Sequence, residues 1–184
     1  MTSLDPLPST FQIKTALGIA SVKIGERGIV ETQLVPYSEG SAKVPTQRKT
    51  EKSELVGYAE KLQEFPGGMK RSLLKALTNL LQLGWSNDVP LMLDGTPFQI
   101  QVWNLLLTIR RGETWTYQEL ANHLGRPSAT RAVAHACGAN KIAYFIPCHR
   151  IIRSDGGLGG YRWGIEVKKR LLEVEKSQLE LELT

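Results

Sequence analysis

The sequence predicts an α+β protein with a small α/β domain over residues 1–92 and a mainly helical domain with a helix-turn-helix over residues 93–184. Three observations support this fold class. β-Branched apolar residues dominate residues 11–35, and apolar residues recur at helical spacing within residues 53–84. Helix-capping motifs then begin at Thr96.

The N-terminal half alternates strand and helix signals and contains no motif that proposes chemistry. Its elements are a strand at residues 19–24, a turn at Glu26-Arg27-Gly28, a strand at residues 29–35, a loop at residues 36–50, and helices at residues 53–65 and 73–84. Pro66-Gly67-Gly68 is expected to end the first of these helices, and residues 88–94 are the expected linker.

Capping motifs predict three helices in the second half. Thr96-Pro97-Phe98-Gln99 and Thr116-Tyr117-Gln118-Glu119 each have the pattern of a capping box, and the second opens a short helix. After the turn at Gly125-Arg126-Pro127, Ser128 is expected to cap a third helix that runs to Cys137. Two short helices around a glycine-containing turn predict a helix-turn-helix, although many helical hairpins bind nothing.

The third helix combines small residues with one long cation. Ala129, Ala132, Ala134 and Ala136 lie around Arg131. The pattern fits a tightly packed core helix and a helix pressed against nucleic acid equally well. A helix is ~10–12 Å across and the B-DNA minor groove ~6 Å wide, so only small residues on widened DNA allow a helix to enter it. Arg131 would then reach the base stack.

Charge and composition narrow the class of partner. The chain carries a net charge of +5, and residues 94–170 alone hold 11 Lys and Arg against 5 Asp and Glu. This excess favours an anionic partner, although solvated surface charge is its commonest cause. No apolar run approaches the ~18–20 residues that cross a bilayer, and residues 1–10 lack the signal-peptide pattern. A reducing cytoplasm is the expected compartment.

The two cysteines differ in their surroundings. Cys137 and Cys148 are too few for a disulfide scaffold or a four-thiolate zinc site, and the three histidines show no ligand spacing, so no metal is expected. Cys137 is expected to be a small buried apolar residue. Cys148 follows Pro147 and precedes His149 and Arg150, which favours a nucleophile.

A nucleophilic Cys148 needs a base or a positive field, because a free thiol has a pKa of ~8.5. Arg150 adds charge, and His149 is adjacent. Adjacent side chains on extended backbone point to opposite faces, so we expect His149 to act through a turn or one water. Glu175 or Glu173, on a terminal helix predicted from Val167 to Glu175, would orient the imidazole; residues 176–184 are expected to fray.

A glycine-rich segment at residues 154–164 follows the cysteine. It lacks Gly-Lys-Ser/Thr, so an active-site wall or a plain surface loop is favoured over a phosphate loop. With this segment, residues 95–175 resemble the O6-alkylguanine-DNA alkyltransferases, also called methylated-DNA–protein-cysteine methyltransferases. The matching segments are Gly95-Thr96-Pro97-Phe98-Gln99, Val102-Trp103, Tyr117-Gln118-Glu119-Leu120-Ala121, Arg131-Ala132-Val133, Asn140, residues 146–150, Gly157-Leu158-Gly159-Gly160-Tyr161, Lys168 and Leu171-Leu172.

Two further comparisons refine this resemblance. Ala139-Asn140-Lys141 and Tyr161-Arg162-Trp163-Gly164 look most like the C-terminal half of bacterial Ada proteins. Residues 1–92 match loosely, through Leu17-Gly18 and Glu26-Arg27-Gly28-Ile29, and are consistent with the family's ribonuclease-H-like N-terminal domain. Thr130 is bulkier than the usual alanine and is expected to tighten the groove contact.

The resemblance implies a role for each matching residue. Cys148 would accept the alkyl group, with His149, a bridging water and Glu175 generating the thiolate. Asn140 would stabilise the turn that presents the cysteine. Further implied DNA contacts come from Arg131, which would fill the gap left by a flipped nucleotide, Tyr117, Ser128, Ala129, Thr130, Ala132 and Ala134. The implied pocket comprises the main-chain carbonyls of Cys148 and Ile151 together with Tyr161, Gly159, Gly160 and Cys137.

The implied activity is irreversible, stoichiometric transfer of a methyl or alkyl group from O6 of guanine, and from O4 of thymine, in double-stranded DNA to Cys148. The base would be flipped through the minor groove, and neither a cofactor nor an Ada-type zinc sensor is expected. The protein would act as a monomer. The alternatives are an alkyltransferase-like protein that binds lesions without an acceptor cysteine, a helix-turn-helix transcription factor, and a thiol hydrolase.

Overall fold

The fold of the chain is known from a computed structural model, which describes residues 9–15, 17–37, 62–63, 65–82 and 89–182. It divides into two compact units, Met1–Leu93 and Asp94–Thr184. The first contains a small antiparallel sheet and a helix, and the second is mainly helical. The α+β fold class predicted from the sequence is therefore confirmed.

The N-terminal unit is built on a three-stranded antiparallel sheet in the order β1-β2-β3. Its elements are β1 (Ser9–Lys14), β2 (Gly18–Gly25), β3 (Gly28–Pro36) and helix α1 (Gly67–Gln82). Inward residues alternate along the strands, and α1 packs against β1, so one face of the sheet is buried. This core consists of Phe11, Ile13, Ala20, Val22, Ile24, Ile29, Leu62, Leu73, Ala76, Leu77 and Leu80.

Both strands predicted between residues 19 and 35 are present. Helix α1 corresponds to the helix predicted at residues 73–84 but begins earlier, at Gly67, where the Lys70 amide donates to the Pro66 carbonyl at 2.8 Å. Proline suits the start of a helix because it lacks an amide hydrogen. Within the expected linker at residues 88–94, Leu91 forms a bridge with Ile29 of β3. The predicted helix at residues 53–65 and the loop at residues 36–50 lie largely outside the described residues.

The second unit contains four helices among its described residues. Its elements are α2 (Pro97–Leu106), β4 (Trp115–Thr116), α3 (Tyr117–His123), a 3₁₀ turn (Pro127–Ala129), α4 (Thr130–Gly138), a second 3₁₀ turn (Cys148–Arg150), β5 (Ile151–Ile152) and α5 (Ile165–Glu182). Both predicted capping boxes are present, at Thr96 with Gln99 and at Thr116 with Glu119. Each box supplies partners for amides that the first helical turn leaves unbonded.

Two predicted helix ends are wrong. Ser128 does not cap α4; it lies within the 3₁₀ turn, and the N-cap position falls on Ala129, which makes no side-chain cap. Helix α5 does not fray after Glu175 but continues to Glu182. Tertiary contact supports the extra turns, because Gln178 accepts a hydrogen bond from Arg111 at 3.3 Å.

Helices α3 and α4 form the predicted helix-turn-helix around Gly125, whose φ of 68° is a left-handed conformation. A polar network fixes the turn. The Gln118 amide donates to Pro127 O at 2.8 Å, and the Thr130 hydroxyl donates to Gln118 at 2.8 Å. The Thr130 hydroxyl therefore connects the two helices, and the expected effect of the side chain's bulk on a DNA contact stays a prediction.

Trp103 joins α2 to α4. Its indole N–H donates to the Ala136 carbonyl at 2.8 Å, and Ala136 is buried instead of lying on the exposed small-residue face. The carbonyls in the last turn of a helix have no intrahelical donor, so the indole supplies one.

Trp103→Phe should lower the free energy of unfolding by about 1–3 kcal/mol, because a buried acceptor loses its donor. Leu107→Ala, at a position that is 36% exposed, should cost less than about 1 kcal/mol. Urea denaturation of both variants measures the difference, and equal losses would contradict this role for the indole.

Candidate active site

Cys148 begins a 3₁₀ turn that precedes strand β5. The Cys148 amide donates to Ile146 O at 2.8 Å, and the Arg150 amide donates to Pro147 O at 3.0 Å. The backbone is turned, so the assumption of an extended segment around this cysteine is wrong. Strand β5 pairs in parallel with β4, Ile151 opposite Trp115, which brings the turn close to the start of α3.

The cysteine opens onto a cavity of about 540 Å³. Its lining residues are Tyr117, Ala134, Cys137, Gly138, Cys148, Arg153, Gly159, Gly160, Tyr161 and Arg162. Seven of them are predicted site residues, whereas Gly138, Arg153 and Arg162 were missed. Cys148 is only 7% exposed, so the cavity is the route by which a reactant can approach the sulfur.

Ile151 does not line this cavity and is fully buried. Its carbonyl, expected to face a bound base, accepts a hydrogen bond from Lys168 Nζ. The Cys148 carbonyl accepts from the Ile151 amide, which closes the turn. Both carbonyls therefore have partners within the protein, and their expected contact with a base would have to use a second lone pair.

Asn140 holds the segment that leads to the cysteine. Its Oδ1 accepts from the Ile142 amide at 2.8 Å, and its Nδ2 donates to Ile146 O at 3.0 Å. The same Nδ2 lies 3.2 Å from Cys148 Sγ. Asn140 is 1% exposed, so this amide is a fixed donor next to the sulfur.

Burial raises the pKa of the Cys148 thiol, because a thiolate is poorly solvated in a protein interior. The Asn140 hydrogen bond and the charges of Lys168 and Arg162 lower that pKa. Arg150 is not one of these cations, contrary to the expectation from its sequence position. Its guanidinium binds both Glu175 oxygens and the Ile109 carbonyl, the latter at 2.6 Å.

Lys168 is the functional candidate that sequence reasoning left without a role. It is fully buried on α5, and its ammonium donates to the carbonyls of Ile151 and Leu158. These two hydrogen bonds of Lys168 therefore connect the glycine-rich segment to β5. A signal was present, because Lys168 and Glu175 are seven residues apart and share the buried face of α5 with Leu171.

His149 and Glu175 form a buried pair on the far side of the turn. Nε2 of His149 lies 2.9 Å from Oε1 of Glu175, and the imidazole is fully buried. Burial lowers the pKa of His149 despite the carboxylate, so the imidazole is neutral at pH 7. Glu173, the other candidate, pairs with Arg170 instead.

The pairing determines the tautomer of His149. Burial opposes ionisation of Glu175, but hydrogen bonds and charge from His149 and Arg150 outweigh it and lower the pKa of Glu175 to about 2. An ionised carboxylate accepts only, so Nε2 must carry the imidazole proton. The buried Nδ1 is then an acceptor, and it has no hydrogen-bond partner among the described residues.

The outer surface of α4 carries the other predicted residues. Arg131 and Ala132 are exposed, Ala129 and Thr130 are half-buried, and Ser128 is exposed in the preceding turn. Half-buried Ala134 lines the cavity from the same helix. One helix thus presents small residues and Arg131 outward while forming a wall of the cysteine cavity.

Comparison with known proteins identifies the family of the chain. Residues 97–177 match the family model described as 6-O-methylguanine DNA methyltransferase, DNA binding domain. The crystal structure of Mycobacterium tuberculosis O6-methylguanine methyltransferase is 31% identical with a TM-score of 0.64, and the match covers 93% of this chain and 94% of that one. The chain belongs to the methylated-DNA–protein-cysteine methyltransferase family. This confirms the resemblance found in the sequence.

Other members of the methyltransferase family are more similar in sequence over a shorter stretch. The Escherichia coli bifunctional transcriptional activator/DNA repair enzyme Ada is 56% identical over 101 residues, which are 55% of this chain and 28% of that protein. The Mycobacterium bovis methylated-DNA–protein-cysteine methyltransferase is 53% identical over 97 residues, 53% of this chain and 59% of the relative. The chain spans between 26% and 63% of the curated relatives it matches.

None of the described helices is long and apolar enough to span a bilayer. Among the residues that the structure describes, no group of three or more His, Cys, Asp or Glu side chains is placed to hold a metal ion.

The Glu175 pair predicts acid sensitivity. In the folded protein the pKa of Glu175 is about 2, below the ordinary value of 4.5. The ionised carboxylate therefore stabilises the fold fully above pH 4.5, and this stabilisation is lost as the pH falls towards 2. The loss should be on the order of 3 kcal/mol. Urea denaturation between pH 2 and 7 measures it. Glu175→Gln should flatten the profile, whereas Glu173→Gln should leave it steep; equal slopes in both variants would reject the assignment.

Proposed function

We propose that this protein repairs double-stranded DNA by moving an alkyl group from O6 of guanine, and from O4 of thymine, to its own Cys148. The observation that carries the proposal is the position of the Cys148 sulfur. It lies on a cavity of about 540 Å³ and accepts a hydrogen bond from the Asn140 amide. Its membership of the methyltransferase family supports the same chemistry. The related Mycobacterium tuberculosis OGT, 32% identical with a TM-score of 0.63, has been crystallised in complex with DNA.

The thiolate would be generated by His149. Its neutral imidazole offers Nδ1 as a base, and a bridging water would carry the thiol proton to it. Glu175 holds Nε2 and would stabilise the imidazolium that forms. The Asn140 amide and the charges of Lys168 and Arg162 would stabilise the thiolate against the cost of burial.

The damaged base would enter from the α4 side. A base within a duplex is out of reach of the sulfur, so it must leave the stack at a cost of a few kcal/mol. Exposed Ala132 lets α4 approach the minor groove, and Arg131 would occupy the space that the nucleotide leaves. Tyr117 lines the cavity, and burial raises its pKa, so its hydroxyl keeps the proton that the departing guanine needs.

The reaction would occur once per molecule. The thiolate attacks the alkyl carbon, the carbon–oxygen bond breaks towards guanine O6, and a thioether remains on Cys148. Water does not cleave a thioether, so the protein is consumed. We place this activity in the C-terminal domain, residues 93–184, of a monomer that needs no cofactor. The reducing cytoplasm is the proposed compartment, because the acceptor must remain a free thiol.

Mass spectrometry tests the transfer. After incubation with duplex containing O6-methylguanine, one methyl group should appear on the peptide that contains Cys148. Cys148→Ala should gain no mass, whereas Cys137→Ala should react, since burial raises the pKa of the Cys137 thiol to a value that keeps it protonated. Demethylated DNA without a modified protein would reject the proposal.

Arg131→Ala tests the route of the base. The rate of transfer from duplex should fall about tenfold to thirtyfold, because part of the cost of extrusion is no longer offset. Transfer from single-stranded DNA should change by less than about threefold. Rapid-quench kinetics on the two substrates measures both rates, and equal losses would assign Arg131 to general DNA binding.

A further inference from the structure

We infer that the cavity prefers alkyl groups that carry a carboxylate, such as a carboxymethyl group on guanine O6, and that Arg153 and Arg162 recognise the negative charge. The inference rests on the proposed function and adds a substrate class to it. Both arginines line the cavity beside Cys148, and the sequence patterns gave neither of them a role.

The cavity wall is cationic. Two of its ten lining residues are arginines, and none is aspartate or glutamate. The single acidic residue of the glycine-rich segment is Asp155, whose carboxylate accepts from the Gly157 amide at 2.8 Å. Lys168 adds a buried ammonium that acts on the Cys148 thiol. A neutral methyl group would use this charge only through the thiolate that attacks it, whereas a carboxylate on the alkyl group could also bind the cations directly.

Within the part of the chain that the structure describes, both guanidinium groups retain donors without a partner. There, Arg162 makes one side-chain hydrogen bond, from Nε to the Asn140 carbonyl at 2.6 Å, so both of its terminal nitrogens can bind a ligand. The backbone of Arg153 is held by hydrogen bonds with Gly157 and Gly156 at 2.7 and 3.0 Å. No ion pair of either guanidinium occurs among the residues the structure describes. Arginine donors are arranged to bind a carboxylate through two parallel hydrogen bonds.

Both arginines also act on the reacting groups. The charge of Arg162 lowers the pKa of the Cys148 thiol, and that of Arg153 lowers the pKa of Tyr117 against the larger effect of burial. A carboxylate next to the reacting carbon would repel the approaching thiolate, and these positive charges would offset the repulsion. The cavity is thus suited to a reaction between two anions.

Transfer of a carboxymethyl group to Cys148 needs no reactant besides the protein and the DNA. The Cys148 thiolate attacks the methylene carbon of the carboxymethyl group, and a sulfur–carbon bond forms as the carbon–O6 bond breaks. The bonding pair leaves with guanine O6, and guanine takes up one proton in place of the one lost by the thiol. The products are guanine in DNA and S-carboxymethylcysteine at position 148, with no oxidant, reductant or further reactant.

A neutral isostere isolates the charge. Single-turnover rates are measured for the whole chain on duplexes with O6-methylguanine, O6-carboxymethylguanine or O6-carbamoylmethylguanine. The last two alkyl groups differ only in that one carries a carboxylate and the other a neutral amide. The carboxymethyl-to-carbamoylmethyl ratio, compared between variants, cancels the intrinsic reactivity of the two groups. The variants are Arg153→Gln, Arg162→Gln and the two combined. A further variant, Arg162→Lys, retains the positive charge but lacks the planar guanidinium group that can bind both oxygens of a carboxylate.

In the double variant the ratio should fall about tenfold, because two charge-assisted contacts with the ligand are lost. Arg153→Gln should lower it without disturbing the bond to Asn140, and Arg162→Lys should restore part of it. Arg110→Gln combined with Arg126→Gln removes the same charge at exposed positions outside the cavity. This control should leave the ratio unchanged.

Two results would overturn the inference. One is an unchanged ratio in the double variant. The other is an equal loss on all three substrates together with a smaller salt dependence, which would assign the arginines to DNA phosphates. Failure of the proposed function is distinguishable, since the wild-type chain would then transfer none of the three groups.

Discussion

The site depends on one buried carboxylate. Glu175 accepts from His149 at 2.9 Å and from Arg150 at 2.7 Å, so α5 is tied to the turn that carries Cys148. Arg150 also donates to the Ile109 carbonyl, at the end of α2. A buried charge is tolerated only when it is paired and hydrogen-bonded, and here each member of the set satisfies the others. The position of the turn that carries Cys148 and the tautomer of the His149 imidazole therefore both follow from the hydrogen bonds of Glu175.

The pKa of the Cys148 thiol is subject to opposing effects. Burial protects Cys148 from bulk solvent but raises its pKa, which works against a nucleophile. The Asn140 amide and the cations Lys168 and Arg162 act in the opposite direction. In the proposed mechanism the sulfur would stay protonated until a proton acceptor is connected to it. That acceptor would be Nδ1 of His149, which has no hydrogen-bond partner among the described residues.

The same elements that build the cavity also build the outer surface. Helix α4 lines the cavity through Ala134 and Cys137 and presents Arg131 to solvent. The Thr130–Gln118 hydrogen bond fixes α4 against α3, whose first residue, Tyr117, lies in the cavity wall. In the proposed reaction, a base extruded by contacts on this surface would pass only one helix to reach the sulfur.

Local chemistry in the sequence was sufficient for the fold class, the two capping boxes and the helix-turn-helix, and it drew attention to Cys148, which lines the cavity. Each depends on neighbouring residues, so pattern alone carries it. Only the tertiary structure decided that Glu175 rather than Glu173 meets His149 and that Arg150 binds Glu175 instead of acting on the thiol. It also decided that Arg153 and Arg162 line the cavity and that Lys168 is buried against the carbonyls of Ile151 and Leu158. These outcomes depend on which long side chains meet across α5, β5 and the glycine-rich segment, and contacts between residues distant in sequence leave no local pattern to read.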